Sequence, residues 1–318
     1  MMDFQHYWEE MQRESGEMRK KRILYLLDVK KPGIEISPLY SPITEKNKHN
    51  VFYTDYTSAD ESRKKHADYE HPEIVDLDFI WEQDKNLKDC LNSNNSYEWA
   101  IASHVLEHVP NPIGWMNQIL EVINVGGYLS LALPNKSLTN DILRDETKFH
   151  QWYDAWINQY KIPSAGQLYD FIRNSASQGV TSNGDSNKRH YSAQDAINLS
   201  QHSWINNEYL DAHCSVFTPQ SFSILVNEAV LIGLMNVEID DITPGGQEFY
   251  VRIKKIGDPA ILPPAKATKN SDHNAISNEK ELRHYKKAYD EAIQAQEILK
   301  SEIDRVRKRN IWHRILNR

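Results

Sequence analysis

Two rhythms of apolar and polar positions run through this chain. Near the start, Phe4, Tyr7, Trp8 and Met11 recur at steps of three and four with charges between them, which predicts an amphipathic helix over residues 3–21. Short apolar runs of strand type follow: GIEIS (33–37) between Pro32 and Pro38, HNVFYTD (49–55), EIVDLDF (73–79) and YEWAIASH (97–104). The helical rhythm returns in PIGWMNQILEVI (112–123) and stops at Asn124-Val125-Gly126-Gly127, and YLSLALP (128–134) reads as a fifth strand. A later helix spans TPQSFSILVNEAVLIGLM (218–235), with Thr218 as N-cap and Pro219 at its first position. NVEIDDI (236–242) and QEFYVRIKKI (247–256) then form an antiparallel hairpin across the turn Thr243 to Gly246.

Strands alternating with helices predict an α/β fold. The expected sheet is Rossmann-like, mostly parallel and seven-stranded, with helices on both faces and the antiparallel hairpin at its C-terminal end. Between residues 135 and 215 the rhythm is lost in a polar, Trp- and Tyr-containing insert, and NSASQGVTSNGDSNKRHYS (174–192) reads as a mobile loop. A Pro- and Asn-containing linker occupies 257–278. Beyond it Leu282, Tyr285, Tyr289, Leu299, Ile303 and Val306 fall on heptad a/d spacing, which predicts a short coiled coil over 279–308 and a basic tail to 318. The domain plan is thus a helix at 1–21, a catalytic-type domain at 22–256 with the insert 135–215, the linker, and the C-terminal helix.

Composition narrows the function. The 318 residues carry a net charge of −8, which argues against nucleic acid as a partner. The basic end, with Trp312 and Ile315 interleaved among arginines, is the exception and suits contact with an anionic membrane surface. Cys90 and Cys214 are the only cysteines and form no disulfide framework. The start MMDFQHYWEE is not a signal peptide and no stretch has 18 consecutive apolar residues, so the expected setting is the cytoplasm.

The candidate chemistry sits at strand ends. Glu35 lies in the first strand, Asp55 ends the second, Asp76 and Asp78 lie in the third, and Ser103-His104 ends the fourth. In an open parallel sheet these ends meet in one crevice, where an acid after the second strand holds ribose hydroxyls. Asp76 or Asp78 would accept from an adenine amino group. The richest stretch is IASHVLEHVPNPIGW (101–115), where strand gives way to helix and two histidines flank Glu107. Glu107 and His108 read as structural residues at the helix start.

Val105 to Pro112, GIEISPLYSPI (33–43), NDILRDETKFH (140–150), DAHCSVFTP (211–219) and QEFYVRIKK (247–255) together resemble a class I S-adenosylmethionine-dependent methyltransferase of the type 11-like group. The likeness spans about residues 20–256, and it extends to related sequences commonly encoded with bacterial cell-surface glycan enzymes. It implies S-adenosyl-L-methionine as cofactor. Glu35, Ile36, Ser37 and Pro38 would form the loop beside its methionine moiety, Asp55 would hold the ribose, and Asp78 would border the adenine. Ser103 and His104 would face the reactive end. Ser37 and Pro38 stand where such enzymes place glycines.

For methyl transfer to a hydroxyl, His104, His150 and His213 are the candidate bases. No metal site is expected, because His202, His213 and Cys214 fit no common ligand spacing. The reading is methyl transfer to a small-molecule or saccharide acceptor, with residues 279–308 offering a homo-oligomer or partner contact. The alternative is a non-catalytic module that assembles through its coiled coil.

Overall fold

The structure is a computed structural model and describes residues 15–65, 67, 73–91, 96–176, 189 and 191–263. Seven strands form one sheet: β1 (Gly33–Ile36), β2 (Val51–Asp55), β3 (Phe79–Ile80), β4 (Tyr97–Ser103), β5 (Ile123–Pro134), β6 (Val237–Pro244) and β7 (Glu248–Lys255). Their order is β3-β2-β1-β4-β5-β7-β6. β1 to β5 are parallel, while β7 runs antiparallel to both β5 and β6. The order reverses between β1 and β4, so a crevice opens there at the carboxyl ends.

Period-two alternation builds two cores. On β4, Ala100 and Ala102 face one side of the sheet, and Trp99 and Ile101 face the other. The first side is covered by helices α4 (Pro112–Val122) and α8 (Pro219–Leu231) through Ile113, Met116, Ile119, Phe222 and Leu225. The second is covered by Ile23 and Leu24, at the end of helical residues 15–24 (α1), and by Ile43. Gly33 is required where β1 passes Trp99: a Cβ there would lie 2.0 Å from the indole. Trp99 is fixed in turn by donating from Nε1 to the carbonyls of Asp28 and Lys31.

The α4 and α8 caps match the sequence expectation. Asn111 accepts from the Gly114 N–H with Pro112 opening the helix, and Thr218 accepts from the Ser221 N–H with Pro219 opening the next. Two strands differ in extent. The third strand is only Phe79–Ile80, because 73–78 reaches its neighbours by single contacts: the Val75 N–H donates to Leu39 and the Asp78 N–H to Tyr53. β5 begins at Ile123 instead of 128. Gly127 permits this, since a Cβ there would sit 2.4 Å from the Glu98 carbonyl oxygen.

The insert holds more helix than its polarity suggests. α5 (Phe149–Ile157), α6 (Ala165–Asn174) and α7 (Ala193–Asn206) lie within it, together with short 3₁₀ turns. Ser164 and Ser192 cap α6 and α7 through reciprocal side-chain bonds with Gln167 and Asp195. α5 buries Trp152 and Trp156, while Leu168, Ile172, Ala196 and Ala212 make a small core of their own. Each short helix buries no more than three apolar residues, since much of its surface faces solvent. Residues 1–14, most of the expected loop 174–192, and the coiled coil and basic tail lie outside the described residues.

Candidate active site

The crevice begins with the turn after β1. Ser37 and Leu39 take positive φ, 54° and 46°, the left-handed region where glycines are ordinarily found. The backbone shape of a glycine loop is therefore kept by other residues, at a cost in strain. Glu35 is buried, and its carboxylate accepts from the Ile43 N–H and from the N–H and hydroxyl of Thr44. Burial raises its pKa against the lowering effect of those bonds. These bonds give Glu35 an anchoring role: it pins the chain returning from the loop. Ile36 is in the core, and Pro38 contributes its carbonyl to the Ser41 N–H.

Asp55 ends β2 with 3% of its surface exposed. Its Oδ1 accepts from the Tyr56 N–H at 2.7 Å and from the Ser37 hydroxyl at 3.0 Å, and Oδ2 takes no bond among the described residues. Burial raises its pKa, opposed by these two bonds and by Lys65. Asp78 is engaged at both oxygens: Oδ2 accepts from the Tyr53 N–H at 2.6 Å and Oδ1 pairs with Lys46 at 2.7 Å. These two contacts clamp Asp78 to β2 and to Lys46. Asp76 pairs with Arg63.

At the end of β4 the residues lock together. Arg19 of α1 donates to Ser103 Oγ at 2.6 Å and forks onto Glu248 of β7. His104 has a φ of 54° and places Nε2 at 2.8 Å from Glu248, and Nδ1 at 3.3 Å from Glu107. Partial burial opposes the charged ring, but Glu107 and Glu248 outweigh it and push His104 up to about 9. Burial likewise opposes ionisation of Glu248, yet bonds from His104, Arg19 and Tyr250 hold it down to about 2. With both ring nitrogens against carboxylates, His104 offers no lone pair to an acceptor. The expectation that it serves as a base is corrected accordingly. Arg19 and Glu248 carried no sequence signal, being separated by 229 positions.

The turn Leu106–His108 leads away from β4. The insert's returning segment is stitched to it: the Ser215 N–H donates to the Glu107 carbonyl, and Cys214 Sγ lies 3.4 Å from the His108 carbonyl. This brings His213 beside His108, with ring centroids 4.7 Å apart. His108 Nδ1 bonds Asp211 at 2.8 Å, and His213 Nδ1 bonds Asp141 at 2.6 Å. Asp141 is held by the buried Arg144 guanidinium, which also reaches Asp170 and the His213 carbonyl. His213 and Arg144 together hold Asp141 below the usual carboxylate range despite its burial.

His150 is elsewhere. It is exposed on α5 and lines a cavity of about 1110 Å³ with Tyr153, Tyr160 and Gln167. Arg144 and Cys214 join that cavity wall to the histidine pair, whereas Asp55, Ser103 and His104 are not part of it.

These residues fit S-adenosylmethionine on one test: Asp55 is a buried carboxylate with one oxygen engaged twice and the other left to accept from ribose hydroxyls. Among solved structures the chain is similar to the CurJ carbon methyltransferase at 11% identity, covering 76% of this chain and 54% of that one, with a TM-score of 0.38. It is also similar to a possible histamine N-methyltransferase from Thermotoga maritima, at 11% identity over 80% of this chain and 96% of that one, TM-score 0.39. An S-adenosylmethionine-dependent methyltransferase from Clostridium acetobutylicum gives 9% identity over 80% and 98%, TM-score 0.38. No curated protein matches the sequence. The profile of the methyltransferase domain family matches residues 7–230, more than half of the chain. The chain therefore belongs to the methyltransferase domain family.

Proposed function

We propose that this enzyme methylates a hydroxyl group of a small saccharide intermediate, in the cytoplasm, within a bacterial cell-surface glycan pathway. The observation that carries the reading is the pair His108 and His213, each oriented through Nδ1 by a carboxylate and set just past the end of β4. A hydroxyl near neutral pH is a poor nucleophile and needs its proton taken up or displaced, which is the work such a pair performs. The bound cofactor supplies an already activated methyl group, so the protein's task is positioning. The adjoining cavity supports a polyol acceptor. Tyr153, Tyr160, Gln167 and His150 give it flat faces and hydrogen-bonding groups.

The test uses radiolabelled methyl donor against a panel of cell-envelope sugar intermediates. We expect one to accept label, and His213→Ala to lower turnover by about 100-fold or more with S-adenosylhomocysteine affinity unchanged. Absence of S-adenosylhomocysteine binding at about 1 mM, a free energy of only about −4 kcal/mol, would sink the reading. Residues 279–308 in this proposal join the chain to a second copy. Sedimentation of the full chain against a form ending near residue 256 checks that, and identical monomers would refute it.

A further inference from the structure

Glu107 is a puzzle in the site as described. It is fully buried, and neither carboxylate oxygen accepts a hydrogen bond of ordinary distance and angle from any of the described residues. On one side stands His104, whose Nδ1 is 3.3 Å from Oε1. A buried carboxylate without hydrogen bonds is costly, and such groups persist where a cation completes them. One oxygen of Glu107, one ring nitrogen of His108 and one of His213 lie within 4.8 Å of one another.

We propose that Glu107, His108 and His213 bind one divalent first-row transition ion of the zinc type. Two imidazoles and one carboxylate are a ligand set that leaves open positions on such an ion. Zinc ligands about 2 Å from the ion stand roughly 3–4 Å from each other, so a small inward turn of the three side chains closes the site. The surroundings are those of a metal centre as well. A ligating imidazole ordinarily gives its other nitrogen to a carboxylate, which fixes the tautomer and directs the free nitrogen at the ion. Both histidines do this, His108 toward Asp211 and His213 toward Asp141. In each ring Nε2 is left for the ion. Glu107 Oε1 faces His104, which leaves Oε2 as its ligand atom.

The ion's role in catalysis rests on the hydroxyl-methylation reading. A hydroxyl bound at an open position loses its proton more readily, with the released proton passing to solvent, so His213 would act as a ligand and not as a free base. Metal binding itself does not depend on that reading.

The experiment strips the full-length chain with a chelator, removes the chelator, and titrates Zn²⁺ by calorimetry and Co²⁺ by its visible absorption. We expect one equivalent to bind, with the Co²⁺ bands of a low-coordinate site carrying nitrogen and oxygen ligands. Asp211→Asn, an exposed change, should weaken binding about 10- to 100-fold, and Glu107→Gln and His108→Ala should weaken it more. S-adenosylhomocysteine affinity, read in the same samples, tests the cofactor site separately. Absence of a saturable single equivalent in the stripped wild-type chain would overturn the proposal. So would unchanged Zn²⁺ affinity in folded Asp211→Asn and Glu107→Gln variants.

Discussion

The two walls of the site are built in opposite ways. The cofactor wall uses strand ends close in sequence, and its key bonds are short-range in space and regular in kind. Ser37 reaches Asp55 from the end of the adjacent parallel strand, and Tyr56 is Asp55's own neighbour in the chain. The wall proposed to face the acceptor is a network gathered from three distant stretches: 104–108 after β4, Asp141 and Arg144 before α5, and His213 at the insert's return. The first wall is a property of the sheet. The second is a property of one buried guanidinium and the carboxylates around it.

That contrast is broken most severely at Arg144. Its side chain is 1% exposed and is shared by Asp141, Asp170 and the His213 carbonyl. Arg144→Leu strands a buried Asp141, so we expect a loss of about 3–5 kcal/mol in stability, measured by urea unfolding. Turnover should fall with it, because the bond that orients His213 is released, while S-adenosylhomocysteine affinity of the folded fraction should stay within about threefold. A tenfold loss of cofactor affinity would show that the two walls are mechanically one.

Asp55→Asn sharpens the comparison from the other side. The change replaces a charged acceptor of ribose hydroxyls, so S-adenosylhomocysteine affinity should fall about 10- to 100-fold, or roughly 1.4–2.8 kcal/mol. Stability should move the other way. Burial raises the Asp55 pKa, so the folded chain holds this proton more tightly than the unfolded chain does, and the ionised group opposes folding above its raised value. Asparagine removes that opposition while keeping an oxygen for Tyr56 and Ser37. The variant's melting temperature should therefore equal or exceed the wild type's at neutral pH, with any gain fading as pH falls toward the ordinary carboxylate range. A clear loss of stability at pH 7 would mean that the Asp55 charge is satisfied in the empty protein.

The same contrast explains what the sequence disclosed. β1, β2, β4, α4 and α8 were legible because burial on both faces writes apolar runs and because Asn111, Pro112, Thr218 and Pro219 are local start signals. Asp55 was legible as the acid ending a strand. What else Glu35 and Asp78 do is visible only in three dimensions: each accepts from a backbone N–H of a neighbouring segment. The insert helices were hidden because each buries only a few residues, and Trp152 and Trp156 look alike whether they line a core or a ligand site. The Glu107, His108 and His213 group was half visible. The Glu-His pair stood in plain view, but the second histidine is more than a hundred positions away, and contacts such as the Ser215-to-Glu107 backbone bond, which no sequence pattern shows, unite them.

The smallest expected effect tests whether Ser37 is merely tolerated in a glycine's place. Its φ of 54° costs about 1–2 kcal/mol for a residue with a side chain, and Ser37→Gly removes that strain. The same change deletes the hydroxyl bond to Asp55 Oδ1, worth about 0.5–1.5 kcal/mol, and adds freedom to the unfolded chain worth about 0.4–1 kcal/mol. These terms nearly cancel, so stability should stay within about 1 kcal/mol of wild type. Cofactor affinity should change by no more than a few-fold, because the Tyr56 N–H still fixes Asp55 and the left-handed turn is kept. Calorimetric titration with S-adenosylhomocysteine decides it. A loss beyond tenfold would give the Ser37 hydroxyl a direct part in holding the cofactor or in aiming Asp55, and the glycine-poor loop would then be a binding device in its own right. A gain beyond tenfold would show instead that the Ser37 side chain obstructs close approach, and that this wall trades affinity for the hydrogen bond it makes.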